Sequence, residues 1–112
     1  MAALTYSREK RGKSVVVKIG GSLDAKTAPT LDKKLSDEVD QVPEKLVISM
    51  EKLEYIASAG MGTLINYNEI MSKKGKKLIL CDLPDKITKI IKMLGFINFF
   101  SICKTLDDAE NG

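Results

Sequence analysis

The sequence predicts an α/β fold, a mixed and mostly parallel β-sheet with alternating helices, and three observations carry that prediction. Runs of β-branched and aliphatic residues at Val15–Ile19, Leu46–Met50 and Leu78–Cys81 are short and nearly continuous in apolar character, as in strands covered on both faces. Between them lie segments whose apolar residues recur at helical spacing. Strand and helix therefore alternate, the order of parallel βαβ units joined by right-handed crossovers. At 112 residues the chain fits a single domain, 1–112, with a core over about 14–110, and no repeat, low-complexity run or linker divides it.

Each element has its own signal. A weak strand is expected at Leu4 to Arg8, followed by Val15–Ile19, which stops at a turn beginning with Gly20-Gly21. From Ala28, the positions Leu31, Leu35, Val39 and Val42 form the apolar stripe of a surface helix. Thr27 or Ala28 lies near its cap, Pro29 is tolerated in its first turn and Pro43 closes it. After the strand Leu46–Met50, a helix from Ser58 to Ser72 turns Met61, Leu64, Ile65, Asn68 and Met71 inward and ends before Gly75. Leu78–Cys81 is the next buried strand. Ile87, Ile90, Ile91 and Leu94 mark a helix with Lys86, Lys89 and Lys92 off its stripe, stopped by Gly95 with Phe96 packing behind. Phe99–Cys103 is a last strand, and Thr105 caps a short terminal helix. Met1 to Thr5 and Glu110 to Gly112 are expected to be loose.

Composition narrows the function. The chain contains no histidine, which removes the most common general base near neutral pH and the Ser-His and Cys-His nucleophile pairs. Its carboxylates are scattered along polar faces without metal-binding spacing, so an enzyme is disfavoured and no cofactor or metal is expected. Cys81 and Cys103 lie in apolar runs and read as small core residues. The net charge of +3, with only three Tyr and three Phe, is too slight for a nucleic-acid surface, where basic and stacking residues interleave. No run approaches the ~20 apolar residues that span a bilayer, and no secretory leader is evident, so a cytoplasmic protein without membrane or direct nucleic-acid contact is expected.

Two segments stand between a strand and a helix, where α/β proteins place ligands and chemistry. Tyr55-Ile56-Ala57-Ser58-Ala59-Gly60-Met61-Gly62 sets one hydroxyl among small residues. Ser58 reads either as an N-cap worth ~1 kcal/mol or as a displayed hydroxyl, beside which a helix amino end favours negative charge. Ala57, Ala59, Gly60 and Gly62 leave room for another protein to approach. Gly20-Gly21-Ser22-Leu23-Asp24-Ala25-Lys26-Thr27 is the second segment, and it could lie beside Ser58. Asp24 and Thr27 either brace the following helix or, with Ser22, form part of a partner-facing surface.

Taken together these segments resemble the STAS domain family. Gly21 to Ala28 is similar to the family's G-x-L-D-x-x-T-A, and Tyr55 to Gly62 is similar to its Y-I-D-S-S-G-L-G. The strand at Leu46–Met50, Gly75 to Leu83, Leu94-Gly95-Phe96 and Thr105 to Ala109 follow in the family's order, over roughly residues 14 to 110. The closest resemblance is to bacterial anti-sigma factor antagonists. It implies that Ser58 is phosphorylated by an anti-sigma factor that is also a serine protein kinase using ATP and magnesium. The unmodified form then binds that partner and frees a sigma factor, the phosphorylated form does not, and a serine phosphatase resets the switch. The implied binding surface comprises Ser22, Asp24, Thr27, Ala57, Ser58, Ala59, Gly60 and Met61. Ala57 and Ala59 stand where the family has Asp and a second Ser, and Glu51 replaces a small residue after the central strand. The competing expectation is an unphosphorylated STAS-type scaffold, or a module that senses a small anion or nucleotide at the helix end.

Overall fold

The computed structural model describes residues 3–111. Five strands form one sheet in chain order, β1 Thr5–Arg11, β2 Ser14–Leu23, β3 Lys45–Ile56, β4 Lys77–Cys81 and β5 Ser101–Cys103. The first pair is antiparallel and the other three are parallel, so a single α/β domain with a mixed, mostly parallel sheet is observed. Helices α1 Ala28–Glu38, α2 Ser58–Lys73 and α3 Asp85–Met93 make the parallel crossovers, and α4 Leu106–Asn111 closes the chain.

The strand sequences read as continuous apolar runs because each face has its own core. On the front, Val15, Val17, Ile19, Leu46, Ile48, Leu78 and Leu80 meet Leu31 and Leu35 of α1, Met61, Leu64 and Met71 of α2, and Ile87 and Ile91 of α3. On the back, Val16, Val47, Ile79 and Cys81 pack against Ala109 of α4. Lys45 Nζ donates to the Glu110 carbonyl at 3.2 Å, and the Arg11 guanidinium pairs with the Glu110 carboxylate at 2.7 Å, fixing α4 in place. Thr105 accepts from the Asp108 N–H at 3.2 Å, as a cap should.

The structure corrects several boundaries. Strand β2 does not stop at the glycines; it continues to Leu23 through register shifts between Lys18 and Gly20 and between Gly21 and Ser22. Gly20 sits where a Cβ would be crowded, 2.7 Å from Thr5 Oγ1 and 3.1 Å from Lys52 Cβ. Strand β3 likewise runs past Met50 to Ile56, burying Leu53 and Ile56. Helix α1 ends at Glu38, before Val39 and Val42, whose N–H groups bond to the Leu35 and Glu38 carbonyls. In α2 it is Tyr67, not Asn68, that enters the core, with its hydroxyl donating to the Asp32 carbonyl at 2.8 Å. Asn68 is half-buried and donates to the Phe99 carbonyl at 2.9 Å. That bond accompanies a 3-10 turn at Ile97–Phe99, which replaces the start of the expected last strand.

The expectation of loose ends fails at Thr5, which begins β1, and at Glu110, which lies in α4. Met1, Ala2 and Gly112 lie outside the described residues. The edge strand β1 is tied to α1 through Glu38, a buried carboxylate that pairs with Arg8 and accepts from the Tyr6 hydroxyl at 3.4 Å. Desolvation, together with the Glu38 charge, pushes the Tyr6 pKa up to about 12.

Candidate functional site

Strands β2 and β3 are parallel and end together, with Leu23 opposite Ile56. The loops that follow therefore emerge side by side, and the Ala57 N–H donates to the Leu23 carbonyl at 2.9 Å. A second contact locks the arrangement. A Cβ on Gly60 would stand 2.5 Å from Leu23 Cγ and 3.0 Å from Leu23 O, so only glycine lets the first turn of α2 rest on the last residue of β2. The space expected around the serine is thus filled at Gly60 by the neighbouring strand, whereas nothing lies within 4 Å of the corresponding point at Gly62.

Ser58 is not the N-cap. Ala57 occupies that position with φ −108° and ψ 172°, and it offers no side-chain acceptor. Ser58 is the first helical residue, exposed, with its hydroxyl hydrogen-bonded to none of the described residues. Of the two readings the sequence allows, cap or displayed hydroxyl, the cap is the one that fails, although serine at a helix start is a strong local signal for it. The offset of one position is set by the nonlocal bond between Ala57 and Leu23. The first-turn N–H groups of α2 consequently lack a side-chain cap, and the helix start retains its positive end.

The second loop is internally braced. Asp24 Oδ1 accepts from the N–H of Lys26 at 2.9 Å and of Thr27 at 3.2 Å, and Oδ2 accepts from the Ser22 hydroxyl at 3.2 Å. The Thr27 hydroxyl donates to the Ser22 carbonyl at 2.8 Å and accepts from the Asp24 N–H at 2.9 Å. Desolvation raises the Asp24 pKa, but the hydrogen bonds from Lys26, Thr27 and Ser22 outweigh it and hold the carboxyl below its ordinary value. The loop thus presents a fixed, ionised carboxylate.

Of the eight residues singled out from sequence, Asp24, Thr27, Ala57, Ser58 and Ala59 reach the surface. Ser22, Gly60 and Met61 lie beneath them, buried, with the Met61 side chain in the front core. A groove of about 520 Å³ is lined by Asp24, Lys26, Thr27, Tyr55 and Ala57, the residue before Ser58, among others. Tyr55 is 41% exposed and forms an apolar wall of the groove, a surface residue absent from the eight that the sequence motifs single out. The signal was available in the placement of Tyr55 just before the inward-facing Ile56. Glu51 is elsewhere, in a cavity on the back of the sheet.

Cys81 behaves as the core residue anticipated. Burial and then the adjacent Asp82 carboxylate push its thiol up to about 12, and both cysteines are free. Among the described residues no group of three or more His, Cys, Asp or Glu side chains could hold a metal ion. Nor is any helix among them long and apolar enough to cross a membrane.

A five-stranded sheet with an exposed serine at the start of α2, beside a braced Asp-Thr turn, defines a class, and residues 6–109 match the family model of the STAS domain. The chain belongs to the STAS domain family. Its named relatives narrow the comparison. It is 22% identical over 98 residues to the anti-sigma F factor antagonist of Paenibacillus polymyxa, covering 87% of this chain and 81% of that protein. It is 25% identical over 79 residues to the anti-sigma-B factor antagonist of Staphylococcus aureus, covering 70% and 73%. Among solved structures, an anti-sigma factor antagonist from Mycobacterium paratuberculosis superposes with a TM-score of 0.87 at 27% identity over 97% of this chain and 92% of the other. The fold is also shared with the antagonist SpoIIAA in its unphosphorylated form, at 18% identity and a TM-score of 0.79 over 96% and 94%.

Proposed function

We propose that this protein is an anti-sigma factor antagonist whose binding is switched by phosphorylation of Ser58. The observation that carries this reading is the exposed Ser58 hydroxyl, without a hydrogen bond to the described residues, at the uncapped start of α2 beside the Asp24 turn. The named relatives support it in kind.

In the unmodified state the groove along Asp24, Tyr55 and Ala57, together with the adjoining Ser58, receives an anti-sigma factor that is also a serine kinase. Binding holds that factor away from its sigma factor in the cytoplasm. Phosphorylation transfers the γ-phosphoryl group of ATP to Ser58 Oγ; the bond to ADP breaks and the hydroxyl proton leaves. The modified serine carries about −1.5 to −2 charge. At the amino end of α2 that charge is tolerated by the positive helix terminus, whereas a partner shaped to the neutral hydroxyl meets steric and desolvation costs. A serine phosphatase restores the binding form. The protein's own role is recognition, and the phosphoryl chemistry belongs to its partners.

The uncapped helix start also supports a second reading, an unphosphorylated STAS module that binds a small anion or nucleotide at that point. Incubation with the cognate kinase, ATP and magnesium separates the two. One phosphate mapped to Ser58 and abolished by Ser58→Ala supports the switch. A phosphate elsewhere, or none, removes it.

A further inference from the structure

A second cavity, separate from the groove at Ser58, opens on the back of the sheet. It has a volume of about 400 Å³ and is lined by Thr5, Ser7, Lys18, Ser49, Glu51 and Lys52 among others. Ser7, Lys18 and Ser49 are register neighbours across three strands, so their side chains share one face. Thr5 and Lys52 are the register partners of Gly20 and close in over it, so all three line the cavity at one end.

Parallel sheets are normally covered on both faces. Here α4 covers Val16, Val47 and Ile79, and the uncovered remainder of the back face is polar and charged. Lys18 and Lys52 are exposed, and neither forms an ion pair with the described residues. Ser49 is 3% exposed, and its hydroxyl donates to Asp82 Oδ2 at 2.8 Å, so the side of the cavity toward β4 is fixed.

We propose that this cavity binds a small organic anion, a carboxylate or phosphate ester that also carries a hydroxyl or amino group. The Lys18 and Lys52 ammonium groups face the anion, the Thr5 and Ser7 hydroxyls donate to it, and Glu51 accepts from the ligand's hydroxyl or ammonium. The volume is that of a metabolite site. The walls are β1, β2 and β3; the last two carry Asp24 and Ser58 just beyond their ends, and of the two register shifts in β2 one falls within the cavity, between Lys18 and Gly20, and the other, between Gly21 and Ser22, lies between cavity and turn. A ligand here grips both strands just before the loops they position, which makes the cavity an effector site. It stands whether or not Ser58 is phosphorylated.

The test titrates the isotopically labelled full chain with citrate and, separately, with glycerol 3-phosphate, against chloride at matched ionic strength, and follows amide chemical shifts. Saturable shifts centred on Ser7, Lys18, Ser49 and Lys52 are expected with at least one of the two, at an affinity tighter than about 1 mM. Lys18→Gln should weaken binding by about tenfold or more, as loss of a charge-assisted contact does. Lys92→Gln, on α3, should leave it unchanged, and an unaltered urea midpoint shows that Lys18→Gln folds. Lys52→Gln repeats the test from the other wall. Absence of saturation with both anions, shifts centred on Ser58 and Ala59, or wild-type affinity in both lysine variants would overturn the proposal.

Discussion

Replacing Ala57 by Asp supplies the acceptor that the start of α2 lacks. Ala57 already has the extended backbone of an N-cap, at φ −108° and ψ 172°, so no conformational change is needed for a carboxylate to reach the N–H of Ala59 or Gly60. An Ala-to-Asp change at an N-cap is worth about 1 kcal/mol, and the charge adds ~0.3–1 kcal/mol through the helix dipole. At ~2.1 cal/mol/K per residue, a chain of 112 residues has an unfolding entropy near 0.24 kcal/mol/K, so 1 kcal/mol raises Tm by about 4 °C. Thermal denaturation followed by circular dichroism measures the shift directly, and Ala57→Asn, a neutral cap, separates hydrogen bonding from charge. The same reasoning makes the phosphate a surrogate cap: phosphorylated wild type should be stabilised relative to unmodified protein, and Ala57→Asp should lose most of that gain through like-charge repulsion. An Ala57→Asp variant no more stable than wild type would refute the assignment of an uncapped helix start.

Other predictions follow from the same contacts. Gly60→Ala drives a methyl group into Leu23, and should cost about 1–3 kcal/mol in urea unfolding while shifting the amide resonances of Asp24 and Ser58. Glu38→Ala leaves Arg8 and Tyr6 without their shared carboxylate and should cost ~1–3 kcal/mol, with hydrogen exchange accelerated first in β1. In alkali, Tyr6, Tyr67 and Cys81 all have folded pKa values near 12, against ordinary values of 10.0 for tyrosine and 9.0 for cysteine. The folded state thus holds protons that the unfolded chain releases, so their contribution is intact below pH 9.0 and is lost as pH rises toward about 12. A urea midpoint that stays level over that range would contradict it.

The residues that were legible from sequence are those whose environment is set locally. Val15–Ile19, Leu46–Met50 and Leu78–Cys81 are apolar on both sides, and they became the paired centre of the sheet. The extensions of β2 and β3 were hidden because glycines and charges at Gly20, Gly21, Glu51 and Lys52 break the pattern that a strand needs on paper, yet neighbouring strands still pair with them. Tyr67 and Asn68 exchanged roles because a tyrosine buries its ring once its hydroxyl finds the Asp32 carbonyl, a partner 35 residues away. At the site, the two loops were recognisable as motifs, but their contact through Leu23, Ala57 and Gly60 is a tertiary fact. It moved the cap from Ser58 to Ala57, buried Met61 and left Ser58 facing outward.

The proposed switch requires that the state of Ser58 decide whether a partner can bind. Its most direct test is the calorimetric affinity of the cognate anti-sigma factor for unmodified protein and for protein carrying one phosphate on Ser58, compared at a single ionic strength. Binding by the unmodified form is expected, with a loss of about tenfold or more on phosphorylation, at least 1.4 kcal/mol. Equal affinities in the two states would contradict it.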